Sequence, residues 1–151
     1  MIELVARTFD VDGPIEEAWA HLARVESWPS WARHIKSVSL TPPGMLTDTS
    51  EGQVRLKGGA RSTFRVEEFD PPRRWRWVGR FLTVRVHYDH LFEDVSNGTR
   101  FTWVVQAEGL GAGTLGRIFG AIYARNLDKA IPNLQAELRA SPTSPTSFRP
   151  A

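Results

Sequence analysis

The sequence of 151 residues contains no cysteine. This absence excludes a disulfide framework, a thiolate metal site and a thiol nucleophile, and it is compatible with a reducing compartment. Charged residues interrupt the segment Met1–Arg7, where a signal peptide would need an apolar core, and no run of about 18 apolar residues occurs. We therefore expect neither secretion nor a membrane span, and we predict a cytoplasmic protein.

Net charge and common catalytic motifs are also scarce. Arginine supplies 16 of the 19 basic residues, and the formal net charge is only +2, which is too weak to indicate a nucleic-acid partner. Neither a G-x-S-x-G elbow nor a P-loop is present. The remaining composition, 41% hydrophobic and 24% charged, is typical of a globular chain. It predicts one domain over residues 1–139, followed by a Pro/Ser/Thr-rich tail at 140–151.

The first 35 residues predict a strand and two short helices. Residues 2–11 have the composition of a strand, and apolar residues then recur at three- and four-residue spacing from Ile15 to Val25. The segment Trp28-Pro29-Ser30-Trp31 should interrupt this helix, because proline disfavours helical geometry at the residue before it. We expect the second short helical turn to follow this segment, before Ile35.

From Ile35 onward the period changes to that of strands. Six segments predict an antiparallel meander: 35–41, 52–58, 61–69, 73–81, 83–93 and 99–108. Alternation places one set of residues inward: Phe64, Trp75, Trp77, Tyr88, His90, Phe92, Phe101 and Trp103. It places another set on a solvated outer face: Arg74, Arg76, Arg85, His87 and Arg100. Phe69 breaks the alternation, which predicts a bulge near Glu67-Glu68.

The last predicted element is a long helix from Thr114 to about Arg139. Its apolar residues recur at helical spacing, and Pro132 inside it is expected to bend it. A single long helix after a meander of strands is the final part of the predicted order of elements.

This order of elements resembles the START-like helix-grip proteins, also called the SRPBCC superfamily, over residues 2–139. The chain looks most like the polyketide cyclase/dehydrase and lipid-transport family within it. The local marks of that resemblance are Ala18-Trp19, Trp28-Pro29-Ser30-Trp31, Phe69-Asp70-Pro71-Pro72-Arg73 and Asn97-Gly98-Thr99-Arg100. The resemblance implies an α+β helix-grip fold, in which a curved antiparallel β-sheet wraps around a long C-terminal helix and two short helices follow the first strand.

The resemblance also implies a cavity between sheet and helix for an apolar ligand. A twisted sheet and a straight helix cannot touch along their whole lengths, which independently favours such a gap. The candidate ligand-binding residues are Phe64, Trp75, Trp77, Tyr88, His90, Phe92, Phe101, Trp103 and Asn126. Core packing is the alternative for each aromatic residue, and a solvent-edge amide is the alternative for Asn126. Trp28 and Trp31 are expected to hold the short helices over the cavity mouth.

His90 and Tyr88 are the candidate catalytic residues. An inward-facing imidazole can act as a general acid or base, or it can orient a ligand carbonyl. The alternative is a core histidine whose hydrogen bonds are satisfied by its neighbours. These possibilities stay open at the level of sequence.

Three further motifs have structural interpretations that fit better than functional ones. His87-Tyr88-Asp89-His90 cannot converge on a metal, because a strand directs His87 and His90 to opposite faces. Gly111–Gly116 matches G-x-G-x-x-G, but no second parallel strand is predicted after the helix that follows. In 73–77 arginine and tryptophan alternate between the two faces, so stacking and phosphate binding cannot share one surface. We expect no metal, no cofactor and no nucleic-acid partner.

The predicted function is binding of a small hydrophobic or aromatic ligand, such as a polyketide-like, lipid or isoprenoid compound. One alternative is a polyketide cyclase or aromatase-type enzyme that catalyses cyclisation or dehydration. Another is a stress-response or co-chaperone interaction module. The lack of a definite acid–base pair favours binding, and the sequence predicts no oligomeric state.

Overall fold

The computed structural model describes residues 1–140, which comprise strands, two α-helices and a 3₁₀ helix. The strands are β1 (Ile2–Val11), β2 (Ile35–Thr41), β3 (Glu51–Leu56), β4 (Arg61–Asp70), β5 (Arg74–Phe81), β6 (Val84–Val95) and β7 (Gly98–Gly109). The helices are α1 (Ile15–Ala23), the 3₁₀ helix (Val25–Ser30) and α2 (Leu115–Ala140). Apart from Ala140, the predicted tail at 140–151 lies outside the described residues.

Within residues 1–140 the seven strands form one antiparallel sheet in the order β1-β7-β6-β5-β4-β3-β2. Strands β2 to β7 follow one another as a meander, and β1 pairs with β7 at the edge. The sheet curves around α2, so the predicted α+β helix-grip fold is confirmed. No helix in this part of the chain is both long enough and apolar enough to cross a lipid bilayer.

Two local predictions have different outcomes. The register between β4 and β5 shifts between Val66 and Glu68, which confirms the predicted bulge. The second short helix was expected after Trp31, but the 3₁₀ helix contains Trp28 and Pro29 and ends before Trp31. That expectation is wrong because the fixed proline φ of about −65° is compatible with 3₁₀ geometry.

Alternation assigns the faces of the sheet correctly. Trp75, Trp77, Tyr88, His90 and Trp103 are buried on the inner face. The four outward arginines bear charges that pair with acids on the outer face: Arg74 with Asp89 and Glu68, Arg76 with Glu67, Arg85 with Glu108, and Arg100 with Asp10.

His87 departs from the solvated outer face that alternation predicts. It lies on that face but is buried. Its Nδ1 is 2.7 Å from Glu67 Oε2, and its Nε2 is 2.6 Å from Glu108 Oε2. The prediction of a solvated His87 is wrong because carboxylates from β4 and β7 enclose the ring on both sides.

Helix α2 is fixed to β1 by an ion pair and a close approach. Arg7 donates from Nε and Nη2 to the two carboxylate oxygens of Asp128, at 2.7 and 3.0 Å. A Cβ added to Gly120 would lie 2.9 Å from Leu4 Cβ, closer than real Cβ contacts. Glycine is therefore required where α2 crosses β1.

We expect Gly120→Ala to lower the free energy of unfolding, because the added methyl forces α2 away from Leu4 and overpacking costs about 1–3 kcal/mol. Gly116→Ala is the matched control. Its Cβ would lie 3.4 Å from Ala107 Cβ, so the change should be neutral or should stabilise by up to about 1 kcal/mol through helix propensity. Urea unfolding followed by tryptophan fluorescence measures both. Equal stability of the two variants would contradict the close approach.

Candidate functional site

The inner face of the sheet has three zones along its strands, and helix α1 and the 3₁₀ helix cover two of them. Helix α1 covers the first, where the Trp19 ring packs 5.2 to 5.5 Å from the rings of Phe69, Trp75 and Phe92. The 3₁₀ helix covers the second through Trp28, whose Nε1 donates to the Leu22 carbonyl at 2.8 Å. The third zone, between the sheet and α2, is left open as a cavity.

His90 lies beneath the 3₁₀ helix inside a shell of tryptophans. Its ring centroid is 4.4 Å from that of Trp75, 4.6 Å from Trp103, 5.1 Å from Trp77 and 6.0 Å from Trp28. Nδ1 lies 3.4 Å from the Trp75 carbonyl oxygen, and Nε2 has no partner among the described residues. Burial lowers the pKa of His90 to about 3, so the imidazole is neutral near pH 7.

The cavity has a volume of about 130 Å³, roughly ten times the 10–15 Å³ or so that one water molecule needs. Its lining is mostly aromatic and aliphatic. The sheet and the segment around the 3₁₀ helix contribute Trp28, Trp31, Ala32, His34, Ile35, Val54, Leu56, Ser62, Phe64, Trp77, Tyr88 and Trp103. Helix α2 contributes Phe119, Ile122, Tyr123, Asn126, Leu127 and Ala130.

The sequence-predicted ligand residues divide between this cavity and the packed zones. Five line the cavity: Phe64, Trp77, Tyr88, Trp103 and Asn126. Four belong to the packed aromatic layer: Trp75, His90, Phe92 and Phe101. His90 touches Trp28, Trp77 and Trp103, which themselves line the cavity, so it supports the cavity wall from behind.

Several lining residues were outside the sequence-based candidates. Trp28 and Trp31 were expected to pack the short helices over the mouth, and the structure places both in the lining as well. Tyr123 was missed, although it follows Phe119 by four residues and precedes Asn126 by three. That spacing puts the three residues on one helix face, which was the available signal.

The polar groups of the cavity are concentrated around a pair of tyrosines. The rings of Tyr88 and Tyr123 lie 5.5 Å apart. Burial raises the pKa of both hydroxyls; Tyr88 raises that of Tyr123 further, while the indole of Trp103 acts in the opposite direction. Both hydroxyls are therefore protonated near pH 7 and can donate or accept a hydrogen bond. The Asn126 amide adds a third polar group to the same lining.

His34 is the imidazole that lines the cavity. Burial and then the charge of Lys57 lower its pKa, so it too is neutral near pH 7. Residues 1–140 hold no cluster of three His, Cys, Asp or Glu side chains placed to bind a metal ion. The chemistry that the lining offers is apolar contact and hydrogen bonding by neutral groups.

Comparison with known proteins places these features in a family. A family model described as polyketide cyclase / dehydrase and lipid transport matches residues 3–139. The search of curated proteins gives no match.

Solved structures share the fold at low identity. The hypothetical protein jhp0584 from Helicobacter pylori superposes with a TM-score of 0.73 at 18% identity, covering 89% of this chain and 86% of that one. Protein MLL2253 from Mesorhizobium loti has a TM-score of 0.69 at 12% identity, covering 91% and 98%. DynU16, from the dynemicin biosynthetic locus, has a TM-score of 0.68 at 16% identity. The match covers 90% of this chain but only 47% of DynU16, so this chain spans about half of that protein.

The buried imidazole predicts a pH-dependent stability. Its folded pKa of about 3 lies below the unfolded value of 6.5, so the unfolded chain binds the proton first as pH falls. Above about pH 6.5 the burial of neutral His90 does not lower the free energy of unfolding. Between about pH 6.5 and pH 3 this free energy falls by about 1.4 kcal/mol per pH unit. His90→Leu should remove that part of the slope, as measured by urea unfolding between about pH 4 and pH 7.

His21→Leu is the control for this slope, since His21 lies on α1 beside Glu137 and outside the tryptophan shell. His21→Leu should keep the part of the pH slope that His90 contributes. Identical slopes for the wild type and His90→Leu would show that His90 is not held neutral by burial.

Proposed function

Since the chain belongs to the polyketide cyclase/dehydrase and lipid transport family, we propose that its cavity binds a small apolar or aromatic molecule of the polyketide, lipid or isoprenoid type. The observation that carries the proposal is the apolar cavity of about 130 Å³ between the sheet and α2. Burial of apolar surface is favourable by about 25 cal/mol per Å². A ligand with a complementary shape therefore gains binding free energy by covering the cavity walls.

The walls of the cavity favour a ligand with a flat apolar body. Phe64 and Trp77 pack together with ring centroids 4.1 Å apart and planes tilted by 31°, and the Trp28 ring lies 5.4 Å from that of Trp77. Aromatic rings arranged in this way contact planar molecules by stacking and by edge-to-face packing. The cavity therefore recognises shape and apolar area before it recognises any particular functional group.

The tyrosine pair selects for oxygen on the ligand. Tyr88, Tyr123 and Asn126 present neutral donors and acceptors within an otherwise apolar lining. A buried polar group that finds no partner costs about 1–3 kcal/mol, so a ligand carbonyl or hydroxyl placed against these groups gains affinity. We infer that the ligand carries at least one such oxygen.

The same tyrosine pair favours a second candidate function, a cyclase. Hydroxyls that stay protonated can donate to the ketone oxygens of a bound poly-β-ketone chain and stabilise the enolate that precedes ring closure, while the neutral imidazole of His34 accepts the α-proton. Holding the chain folded would supply much of the rate. In this function the acting groups are Tyr88, Tyr123 and His34, whereas His90 acts only by supporting the wall.

Filling the cavity should weaken binding. Ala130 is buried and lines the cavity, whereas Ala136 is exposed on the same helix. With 2-naphthol as the probe, Ala130→Leu should weaken binding by about tenfold or more, because the larger side chain occupies the ligand space. Ala136→Leu should leave affinity unchanged. Quenching of tryptophan fluorescence measures both, and a melting curve checks that both variants are folded. Unchanged affinity in Ala130→Leu would place the probe elsewhere.

Removing one hydroxyl should separate the polar contact from apolar contact. Tyr123→Phe should weaken 2-naphthol binding by about 2- to 12-fold, the usual effect of one hydrogen bond, and should leave naphthalene binding unchanged. Equal losses for the two probes would mean that Tyr123 contributes packing alone. For the cyclase, the corresponding test is conversion of a bound poly-β-ketone, which Tyr123→Phe should slow.

A further inference from the structure

One end of the molecule gathers three connections of the fold. These are the β3–β4 turn at 57–60, the β5–β6 turn at 82–83 and the β7–α2 loop at 110–114. Pairing of Val84 with Gly109 and of Arg55 with Arg61 places all three connections at the same end of the strands. We call this end of the sheet, together with the first two turns of α2, the open end.

Large apolar side chains are exposed at the open end. Leu82 is 65% exposed, Leu110 81%, Ile118 59% and Ile122 56%. Leu82 and Leu110 are neighbours, because the hydroxyl of Thr83, which follows Leu82, donates to the Leu110 carbonyl at 2.7 Å. Phe81 joins the same turn to α2 through Phe119, with ring centroids 5.1 Å apart. Single exposed apolar residues are common, but a group of this kind marks an interaction surface.

The charge around the open end is mainly positive, although strand pairing also places Glu3 and Glu108 at this end. Residues 52–66, 79–88 and 109–127 contain eight arginines and lysines and no aspartate or glutamate, although the whole chain has a net charge of only +2. The eight residues are Arg55, Lys57, Arg61, Arg65, Arg80, Arg85, Arg117 and Arg125. All are exposed; Arg85 also approaches Glu108 at 3.6 Å. The open end therefore combines apolar and cationic groups.

The exposed apolar surface is continuous with the cavity. Ile122 is exposed at the open end and also lines the cavity, beside Phe119 and Tyr123. Ile122 therefore connects the cavity lining with the exposed apolar surface.

We propose that the open end docks on the surface of an anionic lipid bilayer. The exposed leucines and isoleucines would enter the interfacial layer, and the surrounding arginines and lysines would contact anionic headgroups. A second copy of the chain fits this surface poorly, because a two-fold dimer would place two mainly positive surfaces against each other. The proposal goes beyond ligand binding, and its test needs no ligand.

Vesicle flotation tests the proposal directly. The full chain should float with vesicles of phosphatidylcholine containing about 30% phosphatidylglycerol and not with phosphatidylcholine alone, and added salt should weaken the binding. Leu110→Ser with Ile118→Ser should reduce binding about tenfold or more, through lost apolar contact. Arg61→Gln and Arg117→Gln should each reduce it about fivefold.

The opposite end of the sheet supplies matched controls. Met45, 41% exposed, lies in the β2–β3 connection, and exposed Arg73 lies in the β4–β5 turn. Met45→Ser and Arg73→Gln should leave vesicle binding unchanged. All of these variants should also bind 2-naphthol as the wild type does, so that loss of vesicle binding and loss of cavity binding are separate results.

Three results would overturn the proposal. The first is failure of the wild type to float with anionic vesicles. The second is equal binding by the open-end variants and their controls. The third is a wild-type dimer, seen by light scattering, that Leu110→Ser with Ile118→Ser converts to a monomer, since that would assign the surface to a second copy.

Discussion

The contact between Trp28 and the tryptophans of the sheet determines which part of the inner face is left open. The Trp28 ring lies 5.4 Å from Trp77 and 5.5 Å from Trp103, and its indole N–H is held by the Leu22 carbonyl. The three rings surround His90 on one side and line the cavity beside Tyr88 on the other, so the cavity begins where this packing ends.

The two attachments of α2 give the cavity its second wall. Beyond Gly120 the helix is held to β1 by Arg7–Asp128, and farther along Asn133 donates to the Trp31 carbonyl at 3.1 Å. Its first turns, by contrast, present Ile118 and Ile122 to the exterior and Phe119 to the cavity. A helix that packs on the sheet through one face and leaves Ile118 and Ile122 exposed on another produces a pocket with an apolar entrance. The proposed ligand binding and membrane docking both follow from that arrangement.

Much of the fold was predictable from sequence, because alternation and helical spacing report which side of an element is buried. Trp75 and Trp77 were correctly placed on one face. Alternation does not report what lies above a given position, so it could not tell that Trp19 of α1 covers Trp75 while Trp77 remains at the cavity. For the same reason it missed the burial of His87, which depends on carboxylates of two other strands.

Occupancy of the cavity in the cell is the most direct test of ligand binding. Protein purified from its own host should be analysed by native mass spectrometry and then extracted with organic solvent, with Ala130→Leu purified in parallel. The wild type should retain an apolar, oxygen-containing compound that is depleted in Ala130→Leu. An extract from the wild type with no compound enriched over Ala130→Leu would contradict the claim that this cavity binds a ligand.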